Sequence, residues 1–166
     1  SYVGMEGWVA AVCFNTVEAQ RLSLTRPQSW FDLLDAQYKG RIIVLEWNNP
    51  GCPFVKKHYQ GNMQKTQATA AAQGAVWLTI NSGAPGKQGH MSGVEAQKFV
   101  ADQKAKPSAY LLDPQGLVGK GYGAKTTPHM YVIDGNGRLA YNGAIDDKPS
   151  SDKADIASAR NHVLAA

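Results

Sequence analysis

IIVLEWNNPGCPFVKKHY, residues 42–59, reads as a strand, a turn and the opening of a helix, in that order. The β-branched and apolar run Ile42-Ile43-Val44-Leu45 has the pattern of a strand buried on both faces. Asn48-Asn49-Pro50-Gly51 is a cluster of turn formers that breaks it. Cys52 stands directly before Pro53, and proline suits the first helical position because its missing N–H would have had no partner there. Val55, Tyr59, Met63 and Thr66 then recur at three- and four-residue spacing, which predicts a helix from Pro53 to about Ala72. A lone thiol is thereby placed at a helix N-terminus, just past the C-terminal end of a core strand. The partial positive charge and free N–H groups there favour a thiolate, and Lys56, Lys57 and His58 add positive potential one turn in. Two readings stand at this point, a reactive thiol and a buried structural cysteine.

Length and composition narrow the field. The 166 residues fit one domain with a sizeable core, and 43% hydrophobic with 18% charged residues is a globular composition. The net charge of +4 is modest and its lysines and arginines are scattered, so no stripe for nucleic acid is expected. No apolar run is long enough to cross a membrane. The chain opens at Ser1 without the charged and apolar regions of a signal peptide, as expected if one had been removed or never belonged. Cys13 and Cys52 are the two cysteines and leave the compartment and any bridge between them open. His58, His90, His129 and His162 are too dispersed for a metal site, and none is expected.

Three separated segments carry a resemblance. Leu45-Glu46-Trp47 with Asn49 to Tyr59, then Asn81-Ser82-Gly83-Ala84-Pro85-Gly86-Lys87-Gln88-Gly89, then Thr127 to Asp134 with Tyr141 to Asp147, resemble the redoxin branch of the thioredoxin-like superfamily. That branch lies near the alkyl hydroperoxide reductase and thiol-specific antioxidant proteins, and the resemblance covers about residues 39–147. It implies an α/β thioredoxin-like sandwich, a mixed central sheet with helices on both faces, in a single domain over 1–166. It also implies a cis peptide at Thr127-Pro128 whose backbone lies beside Cys52, making Cys52, Thr127 and Pro128 the candidate catalytic residues, with no cofactor. Small thiols, peroxides or protein disulfides are the implied partners; the oligomeric state stays open.

The remaining elements follow by pattern. Ala75 to Ile80 is a second buried strand, and Asn81 to Met91 a long loop. Ser92 with Glu95 forms a capping box opening a helix to about Lys104. Tyr110 to Leu112 is a short strand, and Asp113-Pro114 an N-cap and first-turn proline for a short helix. Gly119 to Gly123 is glycine-rich but follows no strand, so it is not expected to cradle phosphate. Met130 to Ile133 and Arg138 to Tyr141 flank Asp134-Gly-Asn-Gly137 as a hairpin, which lacks a calcium-loop pattern. A last helix is expected from Ser151 through Ile156, Ala159, Val163 and Leu164.

Residues 1–41 read differently from 42–166. Trp8 to Phe14 predicts a buried strand, Val17 to Leu22 a short helix, and Ser29 with Asp32 a capped helix ending near Gly40. Gly7 to Thr16 and Ser29 to Ile42 resemble a piece of a bacterial periplasmic substrate-binding protein of the iron or phosphonate type. The two resemblances meet at Lys39 to Ile43, which implies a chimera, engineered or recombined; both families are associated with the periplasm or secretion. Half a cleft would bind solute poorly, so ligand binding is not carried over.

For function, thioredoxin supplies a resolving cysteine three residues on, where Val55 stands here, and a peroxidatic site has Thr or Ser three residues before, where Asn49 stands. Cys13, on a strand pattern, is the other thiol present. The first expectation is therefore a chimera without evolved activity beyond thiol reactivity at Cys52. The alternative is a thiol–disulfide oxidoreductase or one-cysteine thiol peroxidase.

Overall fold

Two flanking strands hold the central one: Ile43–Trp47 pairs parallel with Val76–Asn81 on one side and antiparallel with His129–Ile133 on the other. The computed structural model describes residues 12–14 and 40–166. In chain order the strands are β1 (Val12–Phe14), β2 (Ile43–Trp47), β3 (Val76–Asn81), β4 (Ala109–Leu112), β5 (His129–Ile133) and β6 (Leu139–Gly143). The helices are α1 (Pro53–His58), α2 (Asn62–Ala72), α3 (Gly93–Asp102) and α4 (Leu117–Tyr122), followed by a 3₁₀ helix over Lys153–Ser158. They form one six-stranded mixed sheet in the order β1-β4-β3-β2-β5-β6. This is the expected thioredoxin-like sandwich. β1 joins it as an edge, antiparallel to β4, with Cys13 opposite Tyr110. The helices predicted over 17–22 and from Ser29 lie outside the described residues.

Alternation along the buried strands divides the core in two. Leu45, Trp47, Leu78, Ile80, Leu111 and Tyr131 face one side, where Val118 and Ala124 cover them. Val44, Trp77, Met130 and Val132 face the other, under Val55, Tyr59, Met63 and Ala70. A smaller cluster of Met91, Ala96, Tyr110 and Leu112 packs with Phe99 and Val100 of α3. Among the described residues no helix is long and apolar enough to cross a membrane.

Several predicted elements differ in detail. The helix expected from Pro53 to Ala72 is two helices, parted at Gly61, whose φ of +113 no helix accommodates. Gln64 Oε1 accepts from Gly61 N at 3.0 Å and opens α2. The apolar spacing still holds across the break, since Val55, Tyr59, Met63 and Thr66 are all buried. Asp113 is not the N-cap of a helix at Pro114: α4 begins after Gly116, and Asp113 reaches it from outside, Oδ2 accepting from Gly119 N at 2.9 Å. The C-terminal helix is replaced by the 3₁₀ turn capped by Asp152. Past it, Asp147 Oδ1 accepts from Arg160 N, Ile145 O from His162 N, and Asn161 Oδ1 from Leu164 N, so competing bonds take the backbone out of helix. The capping box at Ser92 and Glu95 and the hairpin at Asp134 form as expected.

A carboxylate sits inside this core. Glu46 of β2 is fully buried, and five side chains donate to it: Asn48 and Tyr59 to Oε1, Gln67, Trp77 and Thr79 to Oε2, at 2.7 to 3.3 Å. Those donors come from β3, α2 and the residues just after β2 and α1, so one group ties four segments together. Each buried donor left unpaired costs about 1–3 kcal/mol. Glu46→Leu is expected to lower unfolding free energy by ~3 kcal/mol or more, and Glu46→Gln by less because its amide oxygen still accepts. Urea midpoints of the three proteins check this; a Leu variant as stable as wild type would refute it.

Candidate functional site

Strand register determines which loops meet. Trp47, the last residue of β2, lies opposite His129, the first of β5. The chain leaving β2 therefore passes the chain entering β5 at one end of the sheet. Cys52 and Thr127 are brought together there across 75 positions: the Cys52 thiol donates to the Thr127 carbonyl oxygen at 3.0 Å. The Thr127–Pro128 peptide is cis. Cys52 is half-buried and is the N-cap of α1, with Pro53 in the first turn and its own N–H bonded to Asn49 O at 3.0 Å. All three residues singled out from the sequence thus share one locus.

The basic residues after Cys52 do something else. Lys57 is buried; its Nζ donates to Ser150 O at 2.8 Å and lies 3.9 Å from Asp146 Oδ2. His58, also buried, places Nε2 3.8 Å from the same oxygen, while Asn62 Nδ2 donates to its Nδ1 at 2.8 Å. The positive potential expected near the sulfur from these two side chains is turned instead toward Asp146; Lys56 is exposed. Periodicity within α1 does not reveal these partners, because Asp146 and Ser150 lie far along the chain.

The loop 82–90, which carries part of the family resemblance without an expected role in the site, walls it. Asn49 Nδ2 donates to Gln88 Oε1 at 3.0 Å, and Asn49 Oδ1 accepts from Gly51 N at 2.8 Å. Asn81 Nδ2 bridges Asn48 O and Gly89 O. A Cβ on Gly89, whose φ is +84, would collide with the Asn49 side chain, so this approach requires glycine. A cavity of about 420 Å³ opens between this loop, the turn after β2 and residues 124–127. Its floor includes Trp47, whose indole N–H donates to Ser82 Oγ at 3.1 Å. Three or more His, Cys, Asp or Glu side chains placed to hold a metal are not found among the described residues.

A mixed sheet whose central strand delivers a cysteine to a helix N-terminus, opposite a cis proline entering the neighbouring strand, defines the thioredoxin-like class. Residues 17–142 match the AhpC/TSA family, and the chain belongs to it. That match begins inside the segment read as a substrate-binding-protein fragment, and nothing in the comparisons supports a separate origin for residues 1–42. Among solved structures the chain is similar to an uncharacterized conserved protein from Geobacillus kaustophilus, at 26% identity over 66% of this chain and 57% of that one, with a TM-score of 0.60. It is similar to a hypothetical protein from Sinorhizobium meliloti at 25% identity, covering 72% and 67%, with a TM-score of 0.61. A secreted Mycobacterium tuberculosis disulfide oxidoreductase, homologous to DsbE of E. coli, shares the fold at 19% identity, with 74% and 85% covered and a TM-score of 0.52. The chain thus spans little more than half of the first of these proteins. No match is found among curated proteins.

Burial lowers the pKa of His58 below its ordinary 6.5; the Asp146 carboxylate opposes that shift and the Lys57 ammonium adds to it. The folded protein therefore binds fewer protons than the unfolded chain just below pH 6.5. Unfolding free energy rises with pH across that window, so stability is fully present above 6.5 and is lost as the pH falls through it toward the folded value. His58→Gln is expected to flatten this slope relative to wild type in urea titrations at stepped pH. Parallel profiles for the two proteins would show that His58 does not set it.

Proposed function

We propose that the chain is a thiol–disulfide oxidoreductase working through Cys52 with a thiol supplied from outside its 166 residues. The observation that carries this reading is the 3.0 Å approach of Cys52 Sγ to the Thr127 carbonyl beside the cis proline. A disulfide R–S–S–R′ entering there meets a half-exposed sulfur and, alongside it, backbone able to align an extended chain. The Cys52 thiolate attacks one sulfur, the S–S bond breaks, Cys52–S–S–R forms, and R′–S⁻ departs to take a proton. An external thiolate R″–S⁻ then attacks the R sulfur, giving R–S–S–R″ and restoring the Cys52 thiolate. Membership of the AhpC/TSA family and the fold shared with a disulfide oxidoreductase support the same chemistry.

The external thiol follows from topology. β4 and β3 lie between β1, which carries Cys13, and β2, which leads to Cys52. Three strand spacings amount to ~14 Å, whereas bridged cysteines have Cα atoms within ~7 Å. Cys13 therefore does not resolve a disulfide at Cys52 in this fold. The peroxidase alternative has less behind it. Asn49 occupies the position of the peroxide-binding hydroxyl, and both ends of its amide are already bonded to Gly51 N and Gln88. Nothing in the comparisons supports a chimera, and the reading of a chain with thiol reactivity alone rests on Val55 and Asn49 standing where a resolving cysteine and a peroxide-binding hydroxyl would be.

Turnover of 2-hydroxyethyl disulfide with added dithiothreitol tests the proposal. Cys52→Ser is expected to fall to the uncatalysed rate, while a folded Cys13→Ser protein keeps the wild-type rate. Equal rates for wild type and Cys52→Ser would remove the enzymatic reading, and loss in Cys13→Ser would remove the external thiol.

A further inference from the structure

The cavity beside Cys52 has a definite electrostatic character. Asn49, whose carbonyl accepts from Cys52 N, and Thr127, whose carbonyl accepts from Cys52 Sγ at 3.0 Å, both line it, so the cavity wall includes the residue that the sulfur touches. Lys87 lines it from the loop after β3 and Lys125 from the loop before β5, while no aspartate or glutamate is among the described lining residues. Neither lysine forms an ion pair among the described residues. Asp113, which bonds the lining residue Ser82, is occupied by Ser82 Oγ at 2.7 Å and Gly119 N at 2.9 Å. Trp47 supplies an aromatic floor. Two cations from opposite walls over an apolar base suit a compact molecule with an aliphatic body and negative ends. The volume of about 420 Å³ falls in the small-ligand range of ~300–1,000 Å³.

Resting on the Cys52 reading above, we propose that the external thiol is a low-molecular-weight thiol bearing carboxylates, seated in this cavity with its carboxylates on Lys87 and Lys125. Held there, its thiolate attacks the substrate-side sulfur of the Cys52 mixed disulfide; that S–S bond breaks, a new one joins the small thiol to the substrate sulfur, and the electron pair returns to Cys52. The same contacts favour the oxidised, disulfide form of the small thiol in the reverse direction. Lys87 and Lys125 are then specificity-determining residues.

Mixed-disulfide formation at Cys52, followed by intact mass on a Cys13→Ser background, provides the test. Three probes are compared at low ionic strength: 3,3′-dithiodipropionate, 2-hydroxyethyl disulfide and cystamine, carrying negative, no and positive charge. Each rate is normalised to that of a free small thiol with the same probe. The anionic probe is expected to exceed the cationic one about tenfold, through the raised local concentration of anions, and salt should compress the ratio. In Lys87→Gln/Lys125→Gln the ratio is expected to fall toward one. A neutral probe that reacts while charge makes no difference, or a preference that survives in the double variant, overturns this inference alone. A neutral probe that fails to label Cys52 overturns the oxidoreductase reading and this one together.

Discussion

The antiparallel pairing of β2 with β5 is the constraint on which everything else rests. Parallel pairing with β3 alone would carry the chain end of β2 toward other strand C-termini and their outgoing loops. The added antiparallel partner brings an incoming loop to the same edge, and the register Trp47 to His129 sets how far apart the two chains run. With the four residues between Trp47 and Cys52 filled by a tight turn, the sulfur arrives against the peptide before Pro128. The contact between two residues 75 apart is thus a consequence of strand order, and the turn chemistry of Asn49 and Gly51 only trims its position.

Glu46 shows what the interior gives to that arrangement. A buried carboxylate is tolerated only when its lone pairs are filled, and here five donors fill them without a cation. Because the donors include Tyr59, just beyond α1, and Trp77 and Thr79 of β3, the network fixes the helix that begins at Cys52 relative to the strand that precedes it. Burial and the neighbouring carboxylate push the Tyr59 hydroxyl well above its ordinary pKa, so it stays a donor. The polar core therefore lies on the route from sheet to site.

How much of this could be read beforehand differs by element. The strand over 43–47, the cysteine at the helix N-terminus and the hairpin at Asp134 are local patterns, each spelled within a dozen residues. The cis bond and the meeting of Cys52 with Thr127 came from family resemblance, since no local rule links positions so far apart. The break at Gly61 was missed because the apolar spacing runs through it undisturbed. The C-terminal helix was overpredicted because Ile156, Ala159 and Val163 keep a helical period, while Asp147 and Asn161 divert the backbone bonds. The segment 82–90 reads as a loop that carries part of the family resemblance; its role as a cavity wall depends on where Gln88 lands, which sequence spacing does not encode.

α1 is only six residues long, too short to be stable by its own hydrogen bonds, so its position is imposed from outside. At its N-terminus Cys52 is held by Asn49 O and Thr127 O. At its C-terminus Lys57 donates to Ser150 O, and Lys57 and His58 face Asp146, whose Oδ2 has no hydrogen-bond partner among the described residues. Separations of 3.8 and 3.9 Å are too long for hydrogen bonds, so the Lys57 ammonium holds Asp146 by charge attraction in a poorly hydrated setting, and His58, whose pKa burial lowers, adds to it only when protonated. Its backbone is anchored in turn where Asp146 bridges Asn161 and Ile145 O accepts from His162 N. The segment that failed to become a helix thus supports, through Asn161 and His162, the stretch whose Asp146 faces the far end of the helix that presents the sulfur.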